Sequence, residues 1–542
     1  MNNWLSVLIF LPIAAALILL LLPKRASNVF RPVTIVISLL QTLIAAYLYT
    51  QYLKNPQGYH FVERADWINL NLGTFGRLNI DYFLAVDGLS IGLLLLSAFV
   101  MFIAAIASNE IKKDPKAYYT LFLLLSAAIM GVFCALDFFL FYVFYELMLL
   151  PMYFLIGMWG GPNREYASIK FFLYTLFGSI FMLLVMIGLY FSVIDPVTGE
   201  HTFNMLYMMD AANYTKDSYF SIFSNDALLF NYPVRFFGFI VLFIAFAIKI
   251  PTIPLHTWLP DAHVEAPTPV SIILAGVLLK IGGYGIIRIC YGIFPEAAIY
   301  FSYWIGLIGV ISILYGAFIA LASTDLKRMI AYSSISHMGF VILGFASLTS
   351  EGVNGAIFQM ISHGVLSTML FYLVGVLYLR VQDREIAAFR GLAQPMPRYT
   401  LFVVIAFFAS LGLPGLSGFI GEAFTLIGAF KSASVNALLP RGFAILASVG
   451  ILIGAAYFLW TLQRMFFGAA RFKGAQEWHL KLKDLTATEY LVLIPLALIT
   501  ILLGIFPAIL FDASNNTINA WVHETWIHGI ANLKSMQSLL KF

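Results

Sequence analysis

Six ionisable residues stand inside long apolar runs of the sequence: Glu146, Lys249, Lys280, His337, His363 and Glu422. A charged residue at the centre of a membrane helix costs roughly 2.5–3.5 kcal/mol on the insertion scale, so such residues persist where they pair, meet water or carry ions. Glu146 lies within Phe139-Leu-Phe-Tyr-Val-Phe-Tyr-Glu-Leu-Met-Leu-Leu-Pro151, with apolar neighbours on both sides. A buried carboxylate and a buried lysine tune each other's proton affinity. A purely structural ion pair of Glu146 with Lys249 is the alternative, but it leaves Lys280 unmatched. Both lysines lie too far from a segment end for their stems to snorkel easily to water. Ser333 and His337 are i,i+4, and Gln359, His363 and Ser367 are i,i+4,i+8, so each set shares one helix face. Such stripes suit a hydrated proton wire, since imidazole titrates near neutrality; interhelical hydrogen bonding without transport is the other reading. No His and carboxylate cluster has ligand spacing, so no metal site is expected.

The elements that must position these groups are membrane helices. Of 542 residues, 61% are hydrophobic and 11% charged, against about 45–50% and about 25% in soluble domains. That composition excludes nucleic-acid binding and cytosolic catalysis. Apolar segments near 4–22, 33–52, 81–108, 117–135, 137–158, 168–194, 234–258, 266–290, 298–322, 326–348, 353–380, 399–431, 441–468 and 488–511 give fourteen predicted spans, an all-α polytopic membrane protein. The run Leu5 to Leu22 has its Lys24-Arg25 behind it rather than in front, so it reads as a retained first helix and not as a secretory signal. Nineteen Lys and Arg fall on one side of the alternating loops and ten on the other, so the first side is expected to be cytoplasmic and both termini outer.

Two segments are interrupted in matching ways. The seventh reads Lys249-Ile-Pro-Thr-Ile-Pro-Leu-His256, and the twelfth reads Leu413-Pro-Gly-Leu-Ser-Gly-Phe-Ile-Gly-Glu422. Proline removes an internal hydrogen bond and clashes with the preceding turn, so both helices should break in mid-membrane. Paired broken helices at an odd offset point to inverted repeats around a transport site. The predicted organisation is 1–116 for helices 1–3, 117–292 for a first five-helix repeat (helices 4–8), 293–468 for its inverted counterpart (helices 9–13), and 469–542 for helix 14 and an outer-face tail. Glu422 then occupies the counterpart of Lys249.

Smaller features take smaller roles. His256, Asp261 and His263 read as capping and re-entry structure, and Asp137 as a helix-start residue. The tail, with Trp521, His523, Trp526 and His528, reads as an outer-surface helix on the membrane or a partner. Cys134 and Cys290 stand alone in apolar runs, without the spacing of a cluster, haem or zinc site. No phosphate-binding or dinucleotide-binding glycine motif is present.

The stretch Lys249-Ile-Pro-Thr-Ile-Pro-Leu-His-Thr-Trp-Leu-Pro-Asp-Ala-His-Val-Glu-Ala-Pro-Thr268, followed by Leu274-Ala-Gly-Val-Leu-Leu-Lys280, resembles the signature of the antiporter-like proton-translocating subunits. These occur in respiratory complex I, membrane-bound hydrogenases and multisubunit cation/proton antiporters. The resemblance runs from Val86-Asp-Gly-Leu-Ser90 to the last helix. The segment Glu146-Leu-Met-Leu-Leu-Pro-Met-Tyr-Phe-Leu-Ile-Gly-Met-Trp-Gly160, together with Glu422 in place of a lysine, is similar to the chain 4 (bacterial chain M) branch. The resemblance implies that Glu146 modulates Lys249, the proton acceptor of a first half-channel. It makes Lys280 the central connecting lysine, places His337 and His363 on the wire between the halves, and makes Glu422 the terminal group of the second. It also implies a bacterial inner-membrane subunit of NADH:quinone oxidoreductase, in contact with sister antiporter-like chains. No redox cofactor is expected on this chain, with NADH, FMN, iron–sulfur clusters and quinone held elsewhere in the complex. A multisubunit sodium/proton antiporter subunit and a non-conducting scaffold are the alternatives.

Overall fold

The computed structural model describes residues 3–71, 73, 77–222, 228–229, 232–472 and 482–536. Lys473 and Lys481, two of the charges expected on the cytoplasmic side, lie outside the described residues. The helices are α1 (Trp4–Leu21), α2 (Ser27–Tyr52), α3 (Ile91–Ala107), α4 (Pro115–Cys134), α5 (Phe138–Leu147), α6 (Leu149–Trp159), α7 (Arg164–Tyr190), α8 (Val234–Lys249) and α9 (Trp258–Glu265). They continue with α10 (Thr268–Tyr291, with π-helical turns at Leu274–Leu278 and Ile286–Tyr291), α11 (Pro295–Ala322), α12 (Leu326–Ser347) and α13 (Ser350–Val381). The last five are α14 (Pro397–Ser410), α15 (Ser417–Val435), α16 (Arg441–Phe466), α17 (Ala487–Ile505) and α18 (Ala508–Ser535). Among the described residues, twelve helical spans are long and apolar enough to cross a membrane, α5 and α6 counting as one. The seventh and twelfth predicted segments, each broken into two shorter helices, are not among the twelve.

Helix starts follow local chemistry. Proline opens α4, α11 and α14, where its missing N–H costs nothing. Asp137, Asp325 and Thr349 accept backbone N–H groups at the starts of α5, α12 and α13. Asp137 therefore has the helix-start role read from the sequence. The spans of α10, α12 and α13 are wholly buried and form the centre of the molecule, while most of α2 and α16 faces outward.

The seventh and twelfth predicted segments both break, as their prolines lead one to expect. After Lys249 the chain is non-helical until Trp258. The freed backbone groups find partners: Thr252 N–H donates to the Ala247 carbonyl at 3.0 Å, Trp258 Nε1 to the Ile248 carbonyl at 2.8 Å, and Ile253 N–H to Ser312 Oγ at 3.2 Å. The second break, between α14 and α15, turns on Gly412 (φ +81°) and Gly415 (φ +92°), a backbone region that L side chains rarely adopt.

Three expectations need correction. The third predicted helix does not begin at 81: Arg77–Val86 is a strand, β2, paired antiparallel with β1 (His60–Asn71), with Arg64 opposite Phe83 and Ala65 opposite Tyr82. Its apolar run suits a half-buried strand as well as a helix, and the partner strand lies in a stretch that looked like a polar connection. The last apolar segment stops at Ile505, and the chain turns at Phe506-Pro507 into α18. The tail is indeed a helix, but its buried residues Ala513, Ser514, Ile518, Thr525, Gly529 and Asn532 face this chain, against α11 and α13. The Val86–Ser90 motif has a structural use: Asp87 accepts the N–H groups of Leu89 and Ser90 at the start of α3 and pairs with the buried Arg288 of α10.

Candidate functional site

Four of the six singled-out residues form one continuous chain of contacts through the buried centre. Lys280 Nζ donates to the Ala275 carbonyl, at the π-helical turn of α10, and stands 2.8 Å from His363 Nδ1 on α13. The rings of His363 and His337 are 5.5 Å apart between centroids. His337 Nδ1, on α12, stands 3.1 Å from Glu422 Oε1 on α15. Lys280, His363 and Glu422 are all buried. Gln359 Nε2 also faces His337 Nδ1, at 3.4 Å, and Gln359 Oε1 has no partner. That nitrogen can donate to the carboxylate or accept from the amide, but not both at once. The position of the proton on the His337 ring and the hydrogen-bonding of Gln359 are therefore linked. A cavity of about 10 Å³ lies among Ser333, His337, Gln359, His363 and Ser410, room for about one water centre.

The fold brings these helices close by removing side chains where backbones meet. A Cβ on Gly282 would stand 2.6 Å from the Ile250 nitrogen and 2.8 Å from the Phe246 carbonyl oxygen, so α10 lies directly against the end of α8.

The purely structural alternative, an ion pair of Glu146 with Lys249, is not formed, although Glu146 lies within electrostatic reach of Lys249. Lys249 Nζ is buried without a hydrogen-bond partner, and so is Glu146 Oε1. The ammonium instead lies over the Tyr145 ring, 4.5 Å from its centroid, an interaction that uses the ring's negative face. Tyr145 and Glu146 sit at the end of α5, just before the chain shifts to α6 at Met148, ahead of Pro151. This interruption was not anticipated, although Pro151 is its signal.

Three further residues join the site that sequence reasoning left aside. His263 of α9 is fully buried, neither ring nitrogen has a partner, and its ring stacks on Phe371 at 4.3 Å. It lies within electrostatic reach of Lys280, Lys327 and His363. Lys327, counted only as a loop charge, is buried and donates to the Ala266 carbonyl at 2.6 Å. Glu110 accepts the Thr268 N–H at 3.1 Å. Glu110, Glu265, Lys327 and Arg384 line an open cavity of about 310 Å³. The available signals were a histidine seven residues after His256 and a lysine directly inside an apolar segment. By contrast, Asp261 forms a 2.6 Å ion pair with Lys170 of α7, and His256 packs beside Tyr315.

Residues 135–447 match the model of the NADH:quinone oxidoreductase/Mrp antiporter transmembrane family. The chain belongs to this family. Residues 60–135 match the amino-terminal model of NADH-ubiquinone oxidoreductase chain 4. Within the NADH:quinone oxidoreductase/Mrp antiporter family, NADH-quinone oxidoreductase subunit M of Rickettsia conorii is 39% identical over 93% of this chain and 95% of its own length. Subunit M of Rhodobacter capsulatus is 38% identical over 94% of this chain and 95% of its own length. Among solved structures, a chain of respiratory complex I from Thermus thermophilus superposes with a TM-score of 0.80 at 30% identity, over 96% of this chain and 99% of that one. A chain of the Mrp complex from a Dietzia species shares the fold, with a TM-score of 0.78 at 20% identity, over 98% of this chain and 100% of that one.

One more buried acid of this NADH:quinone oxidoreductase/Mrp antiporter family member stands directly before the helical span Phe138–Trp159. Asp137, which precedes α5, is 1% exposed, and burial pushes its carboxyl up to about 7 against the opposing N–H groups of Leu140 and Asp81.

Proposed function

We infer that this chain is a proton-translocating membrane-arm subunit of an NADH:quinone oxidoreductase, moving protons through a buried relay while electron transfer elsewhere in the complex drives it. The observation that carries the reading is the unbroken contact sequence Lys280–His363–His337–Glu422, in which every member can hold or pass a proton. Lys249 accepts a proton in the first half, and Glu146, within electrostatic reach, modulates it. Lys280 connects the halves, His363 and His337 carry the proton between them, and Glu422 ends the relay. The cavity at Glu110 and Lys327, with His263 behind it, is the inlet from the Lys- and Arg-rich face.

The partners are other membrane-arm subunits, above all the sister antiporter-like chains. The chain carries no redox cofactor; NADH, FMN, iron–sulfur clusters and quinone belong to the rest of the complex. Both termini lie on the outer side of a bacterial inner membrane. Support comes from the positive charges on the opposite loops. The start of α1, capped by Glu63 of the hairpin, also shares a face with α18, whose Thr517 contacts Tyr52.

The test is NADH-driven proton pumping in membrane vesicles carrying Glu422→Gln or Lys249→Ala, with assembly checked on a native gel stained for NADH dehydrogenase activity. Loss of pumping in an assembled complex is the expected result, and retained pumping overturns the reading. The sodium/proton antiporter alternative predicts a smaller particle without NADH dehydrogenase activity.

A further inference from the structure

The half-helix α8 begins with Arg235 in its first turn and ends at Lys249, where the chain breaks. Both ends are tied to α11. Arg235, 2% exposed, pairs through Nε with Oε1 of the fully buried Glu296 at 2.5 Å. Its other nitrogens donate to the carbonyls of Phe220 and Ile293. The guanidinium is sandwiched between Tyr214 and Phe294, 4.9 Å from each ring. At the far end, Ser312 of α11, also fully buried, accepts the N–H of Ile253 just beyond Lys249. Glu296 and Ser312 are about 24 Å apart along α11 at 1.5 Å per residue.

Two other contacts meet on the same helix. The second oxygen of Glu296 accepts from Asn532 Nδ2 of α18 at 2.9 Å. There α18 lies so close that a Cβ on Gly529 would stand 2.9 Å from the Pro295 carbonyl oxygen. On its other flank α11 seats backbone against backbone on α12: Cβ atoms on Gly309 and Gly316 would stand 2.9 Å and 2.7 Å from the nitrogens of Leu343 and Ser336. Ser336 Oγ donates to the Ile313 carbonyl, and the next residue is His337.

We propose that α11 is a strut fixing Lys249 and His337 in one frame, with Glu296, Ser312 and Asn532 as positioning residues through which the C-terminal helix sets where Lys249 stands. The inference rests on the reading of Lys249 as a proton carrier. A packed helix held at both ends moves as a body, so a slip at Glu296 displaces the whole of α8 along α11. The groups facing Lys249 are Tyr145 and Glu146 of α5, and the displacement changes its separation from both.

The test uses Asn532→Ala, Ser312→Ala and the double variant in the whole complex, with Lys249→Ala as reference. NADH-driven proton pumping is measured against pH and normalised to assembled complex; Asn532→Gln, which keeps the amide, serves if Asn532→Ala assembles poorly. Each single variant should displace the pH profile and lower pumping by roughly three- to tenfold, a coupling of the size packed elements transmit. The double variant should lose no more than the worse single, because both act on one strut. Distant independent sites would give multiplied losses. Multiplied losses, or profiles that overlay the parent, overturn the proposal. If Lys249→Ala itself pumps normally, the reading of Lys249 falls instead, and the two failures are told apart.

Discussion

The imidazole of His337 and the carboxylate of Glu422 stand 3.1 Å apart across the interface of α12 and α15, although 85 residues separate them in sequence. A carboxylate here accepts from His337 when Nδ1 carries the ring proton, whereas the tautomer with the proton on Nε2 leaves Nδ1 to accept from Gln359 Nε2. Glu422→Ala is therefore expected to remove the end of the relay and abolish pumping in the assembled complex. Glu422→Lys keeps a titratable group and should retain more pumping than Glu422→Ala. Equal loss in the two would show that the negative charge opposite His337 is itself required.

Lys249 over Tyr145 gives a second expectation. Tyr145→Phe keeps the ring face and should pump close to the parent level. Tyr145→Leu removes it and is expected to cost about 1 kcal/mol of cation–π stabilisation at Lys249, read as a roughly fivefold fall in pumping at unchanged assembly. An ion pair between Glu146 and Lys249 would make both substitutions silent.

For His263 the expectation separates chemistry from packing. His263→Phe preserves an aromatic stack on Phe371 but cannot carry a proton. Pumping should fall severalfold while thermal stability and assembly hold. Parent-level pumping in this variant would remove His263 from the inlet.

Asp137 supplies a pH dependence outside the membrane spans. Its folded carboxyl titrates near 7, against 3.8 ordinarily. The folded state thus binds the proton more tightly, so the stabilisation is full below about pH 4 and is lost as pH rises through about 7. Between those two values each step of one in pH costs on the order of 1 kcal/mol. Asp137→Asn keeps the capping oxygen toward Leu140 and loses the titration. Its melting temperature should vary less between pH 4 and 7 than the parent's, and identical slopes would refute this.

Much of the site was legible because the membrane makes a charge in an apolar run conspicuous. Lys280, His337, His363 and Glu422 were found that way, and Pro251, Pro254 and Pro414 marked both breaks. What linear spacing does not hold is distance between helices. It did not show that Lys249 lies over the Tyr145 ring, and it left His263 as a capping residue because Lys280, Lys327 and His363 come from three other helices. The strand at 77–86 was missed for a related reason, since its partner strand lay in a stretch that looked merely polar.

The cavity beside His337 and His363, about 10 Å³ in volume, has a consequence for the membrane as an insulator. Room for about one water centre is too little for a continuous column of liquid from one face to the other. In this conformation the space beside His337 and His363 is a closed contact rather than an open pipe. A relay through this space would need side chains to move and admit more water, so opening it is where an external drive would act, and its narrowness would guard against leak.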